Sequence, residues 1–145
     1  MAKTQTIRLT DPPFVLSYAN IGGKHEAKGP LASYFDRLEQ DSFFGEKTFE
    51  QAESYMQKYV LSEALRKAGM QSELPDCIFG GDLLNQCIGT SFAMRSFPVP
   101  FFGLYGACST MGESLALAAL ALDGNHMDRA AAVTSSHFCS AERQY

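Results

Sequence analysis

The chain has 145 residues, of which 46% are hydrophobic, and a formal net charge of −4 at pH 7. This length supports one domain with a sizeable core, and the acidic balance gives no reason to expect a nucleic-acid partner. The four cysteines lack C-x-x-C spacing, which argues against a zinc knuckle or a dithiol redox motif and favours free thiols in a reducing compartment. The apolar runs are too short to span a membrane, and they leave peripheral attachment open.

The first half of the chain predicts a strand, a charged loop and a helix. Residues 14–21 are predicted to form a strand that begins after two prolines and ends at Gly22, and residues 24–41 a surface loop with a short helix. Residues 48–68 show a capping-box pattern, Thr48 with Gln51, and a C-terminal glycine stop. The apolar stripe predicts the packed face of this helix; its members are Phe49, Ala52, Met56, Val60 and Ala64.

The second half alternates short apolar runs with helical segments. Residues 77–79, 99–105 and 129–135 are predicted strands, and the helices between them are predicted at 83–94 and from about Cys108 to 123. Asp82 is the expected N-cap of the first of these helices. The alternation predicts an α/β fold with a mostly parallel sheet.

The stretch 101–124 is the most informative part of the sequence. An apolar run ends near Gly103 and Gly106, Cys108 follows, and the helix after it carries Glu113 as its only charge before Asp123. A helix this apolar is expected to be buried on nearly all sides. A thiol at its start lies near helix N–H groups and the positive end of the helix dipole, as in reactive cysteines and anion-binding sites.

Other polar groups are predicted near the strand ends. Asn85 follows a predicted strand, where it either caps the helix or reaches a pocket or interface. His137 lies just after the C-terminal end of the last predicted strand, either as a donor lining a pocket or as a structural histidine. His137 and Cys139 form an H-x-C pair without further ligands, so no metal is predicted. No phosphate-binding glycine motif occurs, and no cofactor is predicted.

The segment Gly106-Ala107-Cys108-Ser109-Thr110 resembles the nucleophile elbow of the thiolase and ketoacyl-synthase superfamily, in which a cysteine takes up an acyl group as a thioester. More narrowly, the chain resembles the stage V sporulation AD family. The stretches that carry this resemblance are GPLASYFD (29–36), FGEKTFEQAE (44–53), GGDLLNQ (80–86), LYGACSTMGESLALAA (104–119) and TSSHFCSAERQY (134–145).

The resemblance implies a thiolase-like αβαβα layered sandwich, with the helix after Cys108 in the buried central layer. Residues 1–145 would be the N-terminal part of that domain, truncated after the strand near 130–136. The family is associated with binding dipicolinic acid, free or as its calcium chelate, and with its uptake into the developing spore beside membrane proteins of the same operon. The resemblance also implies an intracellular protein that is peripheral to the inner spore membrane. It further implies a homodimer, as in other thiolase relatives.

In relatives that are enzymes, the catalytic histidines come from the second half of the fold, so His137 is not carried over as a catalytic histidine and the catalytic set is incomplete in this chain. The resemblance to a family of binding proteins implies ligand binding rather than turnover. The expected ligand contacts are Cys108, Ser109 and Thr110, with His137 and Asn85 as further candidates. Four aromatic residues are candidate packing surfaces for a planar ligand, although strand aromatics usually belong to the core: Phe101, Phe102, Tyr105 and Phe138.

Two alternatives stay open. The first is an acyl-transferring condensing enzyme with Cys108 as its nucleophile. The second is a structural partner of a membrane channel, which would require an exposed apolar patch on the 48–68 helix or the 24–41 loop. Since a half-fold would expose part of the central helix, the 145-residue chain by itself is expected to be poorly stable or to aggregate.

Overall fold

A three-stranded parallel sheet forms the centre of the fold in the computed structural model, which describes residues 6–137. The spatial order is β4-β3-β5, and Ile78 of the central strand lies opposite Phe101 on one side and Ala131 on the other. A separate two-stranded parallel sheet pairs β1 with β2. The helices and strands in chain order are β1 Ile21–Gly22, β2 Arg37–Leu38, α1 Phe49–Lys67, β3 Cys77–Gly81, α2 Ile88–Met94, β4 Phe101–Gly103, α3 Thr110–Asp123 and β5 Ala130–Thr134. The predicted α/β class with a parallel sheet is therefore confirmed.

Helices cover both faces of the central sheet. Because successive strand side chains point to opposite faces, Ile78 packs with α1 and α2 through Leu61 and Met94, whereas Phe79 packs with α3 through Ala118. The buried strand β3 thus separates two small hydrophobic cores. Within residues 6–137, no helix is long and apolar enough to cross a membrane.

The first predicted strand is mostly absent. Only Ile21 of the predicted 14–21 strand pairs with another strand, together with Gly22 directly after it. Residues 14–20 form no ladder, and Phe14 is 91% exposed. A strand needs a neighbour to satisfy its backbone groups, and the described structure places none beside this segment. The predicted 24–41 loop contains two short 3₁₀ turns and also β2, which pairs with β1.

Helix α1 begins and ends within one residue of the prediction. The Thr48 side chain accepts a hydrogen bond from the Gln51 amide at 3.2 Å, as the capping pattern predicts. The predicted packed face is wrong in part, because Glu53 and Gln57 are fully buried beside Ala52 and Leu61. Tertiary hydrogen bonds, described below, bring these polar side chains into the interior.

Helix α2 is shorter than predicted. The 83–94 helix starts only at Ile88, since Gln86 and Cys87 adopt left-handed backbone angles, with φ of 57° and 51°. Asp82 does not cap a helix at residue 83. Its carboxylate accepts hydrogen bonds from the Leu84 amide at 2.7 Å and from the Thr90 amide at 2.6 Å, so it caps α2 from a distance.

Helix α3 is placed as predicted, but only one of its faces is buried. Thr110, Ser114 and Ala118 face the sheet, whereas Leu115 and Leu117 are 49% and 40% exposed. The expectation of burial on nearly all sides is therefore wrong for the described chain, since no element among residues 6–137 covers the opposite face.

Candidate functional site: the cysteine elbow

The carboxyl ends of the three central strands meet at one edge of the sheet. Strand β3 leads into Asp82, β4 into the turn before Cys108, and β5 into Ser135 and His137. Parallel α/β sheets bind ligands at this edge, so the topology brings most of the predicted site residues to one region.

Glycine allows the elbow to pack closely against β3. A Cβ atom at Gly81 would collide with the carbonyl oxygen of Leu104 and lie 3.0 Å from Cγ2 of Thr110. The turn then tightens through Ala107, whose φ is +50°, and the Thr110 hydroxyl accepts a hydrogen bond from the Gly106 amide at 3.2 Å. Strand β4 therefore turns sharply into α3, as the sequence predicts.

Cys108 is the exposed thiol of the described chain. It lies in the 3₁₀ turn Ala107–Ser109 that precedes α3. Cys77 and Cys87 are buried, and burial raises the pKa of both thiols. All three are free, as predicted, and Cys139 lies outside the described residues. Accessibility therefore distinguishes Cys108 from the two buried cysteines.

The hydroxyl groups beside Cys108 already have partners within the elbow. The Ser109 hydroxyl lies 2.7 Å from the Gly106 carbonyl oxygen and 2.5 Å from Oε1 of Glu113. Thr110 is buried, with its hydroxyl directed to the Gly106 amide. Glu113 thus places an exposed carboxylate next to the elbow, a feature that the sequence analysis noted only as the single charge of the helix.

The loop that carries Asn85 borders the elbow. Asn85 is exposed in the 3₁₀ turn Asn85–Cys87. The thiol of Cys87 donates to the Leu104 carbonyl oxygen at 3.1 Å, and the Tyr105 hydroxyl lies 3.5 Å from the Leu83 carbonyl oxygen. These contacts join the loop to the strand that leads into Cys108.

His137 packs against the start of α1 rather than against the elbow. Its ring centroid lies 5.3 Å from that of Phe49 and 6.0 Å from that of Phe44, and its Nε2 lies 2.7 Å from the Ser42 carbonyl oxygen. The histidine is therefore placed as an anchor for the segment before α1.

The predicted aromatic surfaces divide between core and exposed positions. Phe101 packs with the α1–α2 core, whereas Phe102 is largely exposed and stacks on Phe79 with ring centroids 5.3 Å apart. Tyr105 is exposed beside the elbow. Phe138 lies outside the described residues.

A buried polar network beneath this edge was missed by the sequence analysis. The Gln57 amide donates to the Thr90 hydroxyl at 2.8 Å and the Ser135 hydroxyl at 2.7 Å, and Ser135 donates to Glu53 at 2.9 Å. The Thr90 hydroxyl in turn donates to Asp82. The network ties α1, α2 and the ends of β3 and β5 together. The i, i+4 spacing of Glu53, Gln57 and the apolar Leu61 is the signal that could have revealed it.

No group of three or more metal-ligating side chains occurs in the part of the chain that the structure describes. The H-x-C pair extends to Cys139, outside that part.

Comparisons with known proteins identify the family. Residues 3–145 match the protein family described as Stage V sporulation protein AD (SpoVAD). The chain belongs to this family. Stage V sporulation protein AD of Bacillus subtilis (strain 168) is 37% identical over 141 residues, which cover 97% of this chain and 42% of that protein.

A solved structure supports the same fold. The crystal structure of 3-oxoacyl-[acyl-carrier-protein] synthase III from Aquifex aeolicus VF5 matches with a TM-score of 0.54 at 20% identity, covering 65% of this chain and 31% of that one. At this identity the similarity shows the fold alone, which is thiolase-like. The chain is thus a sporulation-family protein with a thiolase-like fold, and it spans less than half the length of these two proteins.

Proposed function

We propose that this SpoVAD-family chain contributes the cysteine elbow of a dipicolinic acid receptor, which binds its ligand without turnover and assists uptake into the developing spore. The proposal rests on the solvent-exposed cysteine elbow of this chain, which belongs to the family. Cys108 is exposed at a helix start, whose N–H groups and dipole favour an anionic group such as a carboxylate. The exposed ring of Tyr105 beside it offers a packing surface for a planar ligand.

Glu113 favours the calcium chelate over the free dianion. Its exposed carboxylate approaches Ser109 and Gly106, where it would repel the carboxylates of free dipicolinate. Calcium binds carboxylate and carbonyl oxygens, and it would neutralise the ligand while accepting Glu113 as a further oxygen ligand. We therefore expect tighter binding when calcium is present.

An acyl-transferring enzyme with Cys108 as nucleophile is the second candidate, and the exposure of this thiol favours it. Such an enzyme requires a base or an activating partner for the thiol. Mass spectrometry after incubation with acyl thioesters tests this reading. An added acyl mass on wild-type protein that disappears in Cys108→Ala would support it.

Partners and location belong to the same proposal. The exposed side chains of Leu31 and Tyr34 on the 24–41 segment are candidate contacts with membrane proteins of the same operon at the inner spore membrane.

The edge strand β4, with exposed Phe102, is the candidate contact of a homodimer. Sedimentation of wild type and Phe102→Asp tests the dimer, and the variant is expected to be monomeric.

Calorimetric titration of dipicolinate tests the main proposal, with a protein that spans the full length of the family and in buffers with and without calcium. Saturable binding that is stronger with calcium, and whose calcium dependence falls in Glu113→Gln, is expected. Cys108→Ala should still bind, since the thiol takes no covalent part. No saturable binding in either buffer would refute the receptor.

A further inference from the structure

The segment between β1 and β2 is a hydrogen-bonded loop that belongs to the smaller sheet. Strands β1 and β2 pair with each other and not with the three strands of the central sheet. The loop contains the 3₁₀ turns Glu26–Lys28 and Ala32–Tyr34, and backbone hydrogen bonds close both turns. We call residues 24–34 the tip. Because its backbone is already ordered, the tip loses little conformational entropy when it meets a partner.

The base of the tip is fixed to the rest of the chain. The Asn20 side chain donates to the Tyr34 carbonyl oxygen at 3.1 Å and accepts from the Asp36 amide at 2.8 Å. The Asp36 carboxylate in turn forms an ion pair with Lys67 at the end of α1, at 2.5 Å. Helix α1 therefore holds the tip in one orientation.

The tip carries cationic side chains without acidic partners. Lys24 and Lys28 are exposed, and neither forms an ion pair within residues 6–137, whereas four other basic side chains do. The carboxylate of Glu26, the one acidic residue of the tip, accepts a hydrogen bond from the Gly23 amide at 2.9 Å instead of pairing with either lysine. The tip is thus locally cationic on a chain whose net charge is −4.

Apolar side chains project from the same tip. Leu31 is 62% exposed and Tyr34 is 73% exposed. Side chains three residues apart lie above one another in a 3₁₀ turn, so Leu31 and Tyr34 share one side of the second turn. Tyrosine, with an apolar ring and a polar hydroxyl, is typical of the boundary between lipid and water.

We infer that the tip contacts anionic lipid directly, with Lys24 and Lys28 at the headgroups and with Leu31 and Tyr34 at the edge of the acyl chains. Anionic membrane surfaces attract lysines, and apolar side chains beside them gain burial at the interface. The lysines favour lipid over a protein surface, because lysine is depleted in protein–protein interfaces. The inference rests on the membrane location proposed above and deepens it, since it adds lipid as a contact of the loop.

The lipid contact is expected to be weak and reversible. Each lysine near an anionic surface strengthens binding by about fivefold, and the small apolar area adds to this. Stable attachment to a membrane takes a second signal. The tip therefore orients the protein on the membrane and supplements other contacts there.

Flotation of the 145-residue chain with protein-free vesicles tests the inference, since floating vesicles separate bound protein from aggregates that sink. Vesicles of mixed phosphatidylcholine and phosphatidylglycerol are compared with vesicles of phosphatidylcholine alone. We expect saturable binding to the anionic vesicles and at least about tenfold weaker binding to the neutral ones. Binding to the anionic vesicles should weaken in 1 M salt, at which the screening length falls to about 3 Å.

Two double variants locate the charge contact. Lys24→Glu with Lys28→Glu reverses the charge of the two tip lysines and should weaken binding to anionic vesicles by at least about thirtyfold. Lys47→Glu with Lys58→Glu makes the same change in net charge at exposed lysines outside the tip and should weaken it by less than about threefold. Circular dichroism of both double variants checks that the fold is kept.

A tryptophan reporter tests the apolar contact without changing the charge of the tip. The chain has no tryptophan, so an introduced one reports its own surroundings. Tyr34→Trp lies in the tip, and Phe92→Trp, at a position 57% exposed on α2, is the matched control. Brominated lipid in anionic vesicles should quench the tryptophan at position 34 at least about threefold more strongly than the one at position 92.

Three results would overturn the inference: no flotation with anionic vesicles, equal losses in the two double variants, or equal quenching of the two tryptophans. Binding that requires a membrane protein of the same operon in the vesicle would assign the loop to protein and would also overturn it, while the proposed membrane location would stand. Failure to bind vesicles that contain those proteins as well would refute the proposed location itself, so the two failures are distinguishable.

Discussion

Replacing Asp82 by asparagine tests how the buried network shapes the edge of the sheet that carries the site. Asp82 is fully buried and accepts hydrogen bonds from the Leu84 amide through one oxygen and from the Thr90 amide and hydroxyl through the other. An asparagine has one acceptor oxygen. Its NH₂ group must therefore face either the Leu84 amide or the Thr90 donors, and at least one buried N–H group loses its partner.

The expected loss in the free energy of unfolding is about 2 kcal/mol. A hydrogen bond to a charged group contributes about 1.5–3 kcal/mol, and the lower desolvation cost of a neutral side chain offsets part of the loss. Asp76 offers a matched control, since it precedes β3 as Asp82 follows it and accepts hydrogen bonds from the amides of Asp128 and Arg129 at 2.9 and 3.0 Å. Both amides bind the same carboxylate oxygen, which an asparagine retains, and Asp76 is exposed to water, so Asp76→Asn should lower the free energy of unfolding clearly less than Asp82→Asn does.

Urea unfolding followed by circular dichroism measures both variants, because the chain has no tryptophan. The m-values should match that of the wild type, so that the shift in midpoint reports stability. Equal losses for Asp82→Asn and Asp76→Asn, or a loss below about 0.5 kcal/mol for Asp82→Asn, would refute the argument that burial makes these bonds essential.

Three further predictions concern the rest of the fold. Gly81→Ala should lower the free energy of unfolding by more than about 2 kcal/mol or prevent folding, because its Cβ collides with backbone. Gly112→Ala on exposed α3 has open space and should stabilise the fold by up to about 1 kcal/mol. Urea unfolding compares the two variants, and equal effects would contradict the close approach at Gly81. Thr48→Ala should lower stability by about 1 kcal/mol through loss of the α1 cap, and no change in the urea midpoint would argue against it. Backbone hydrogen bonds lower the pKa of Asp41 and Asp76 below the usual 3.8. The stability that these two carboxylates contribute is therefore complete above pH 3.8 and is lost as the pH falls through the lowered pKa. Acid unfolding should be less steep in Asp76→Asn, and an unchanged profile would contradict this.

The elements that could be predicted from the sequence are those with local signals. The apolar run of β3, the cap at Thr48 and the glycine-rich turn before Cys108 each carry their own residue pattern, and each is found where it was predicted. The position of the elbow next to β3 also follows, because glycine at position 81 permits the close approach of Leu104.

The parts that could not be predicted depend on distant partners. Gln57 is buried because Thr90 and Ser135, 33 and 78 residues away in sequence, accept its hydrogen bonds. The start of α2 is set by the contact between Asp82 and Thr90. Residues 14–20 have a strand-like sequence, but pairing requires a neighbour that the described residues do not provide. Propensity alone carries none of this information.

Alkylation of Cys108 in the presence of dipicolinate tests the central claim most directly, namely that this ligand binds at the elbow. Cys108 is exposed, while Cys77 and Cys87 are buried and serve as internal references in the same mass spectrum. The proposal predicts that dipicolinate with calcium slows iodoacetamide labelling of Cys108 saturably, at the concentration that half-saturates the calorimetric titration. Saturable binding in the calorimeter with an unchanged labelling rate at Cys108 would contradict the site, and the ligand would have to bind elsewhere.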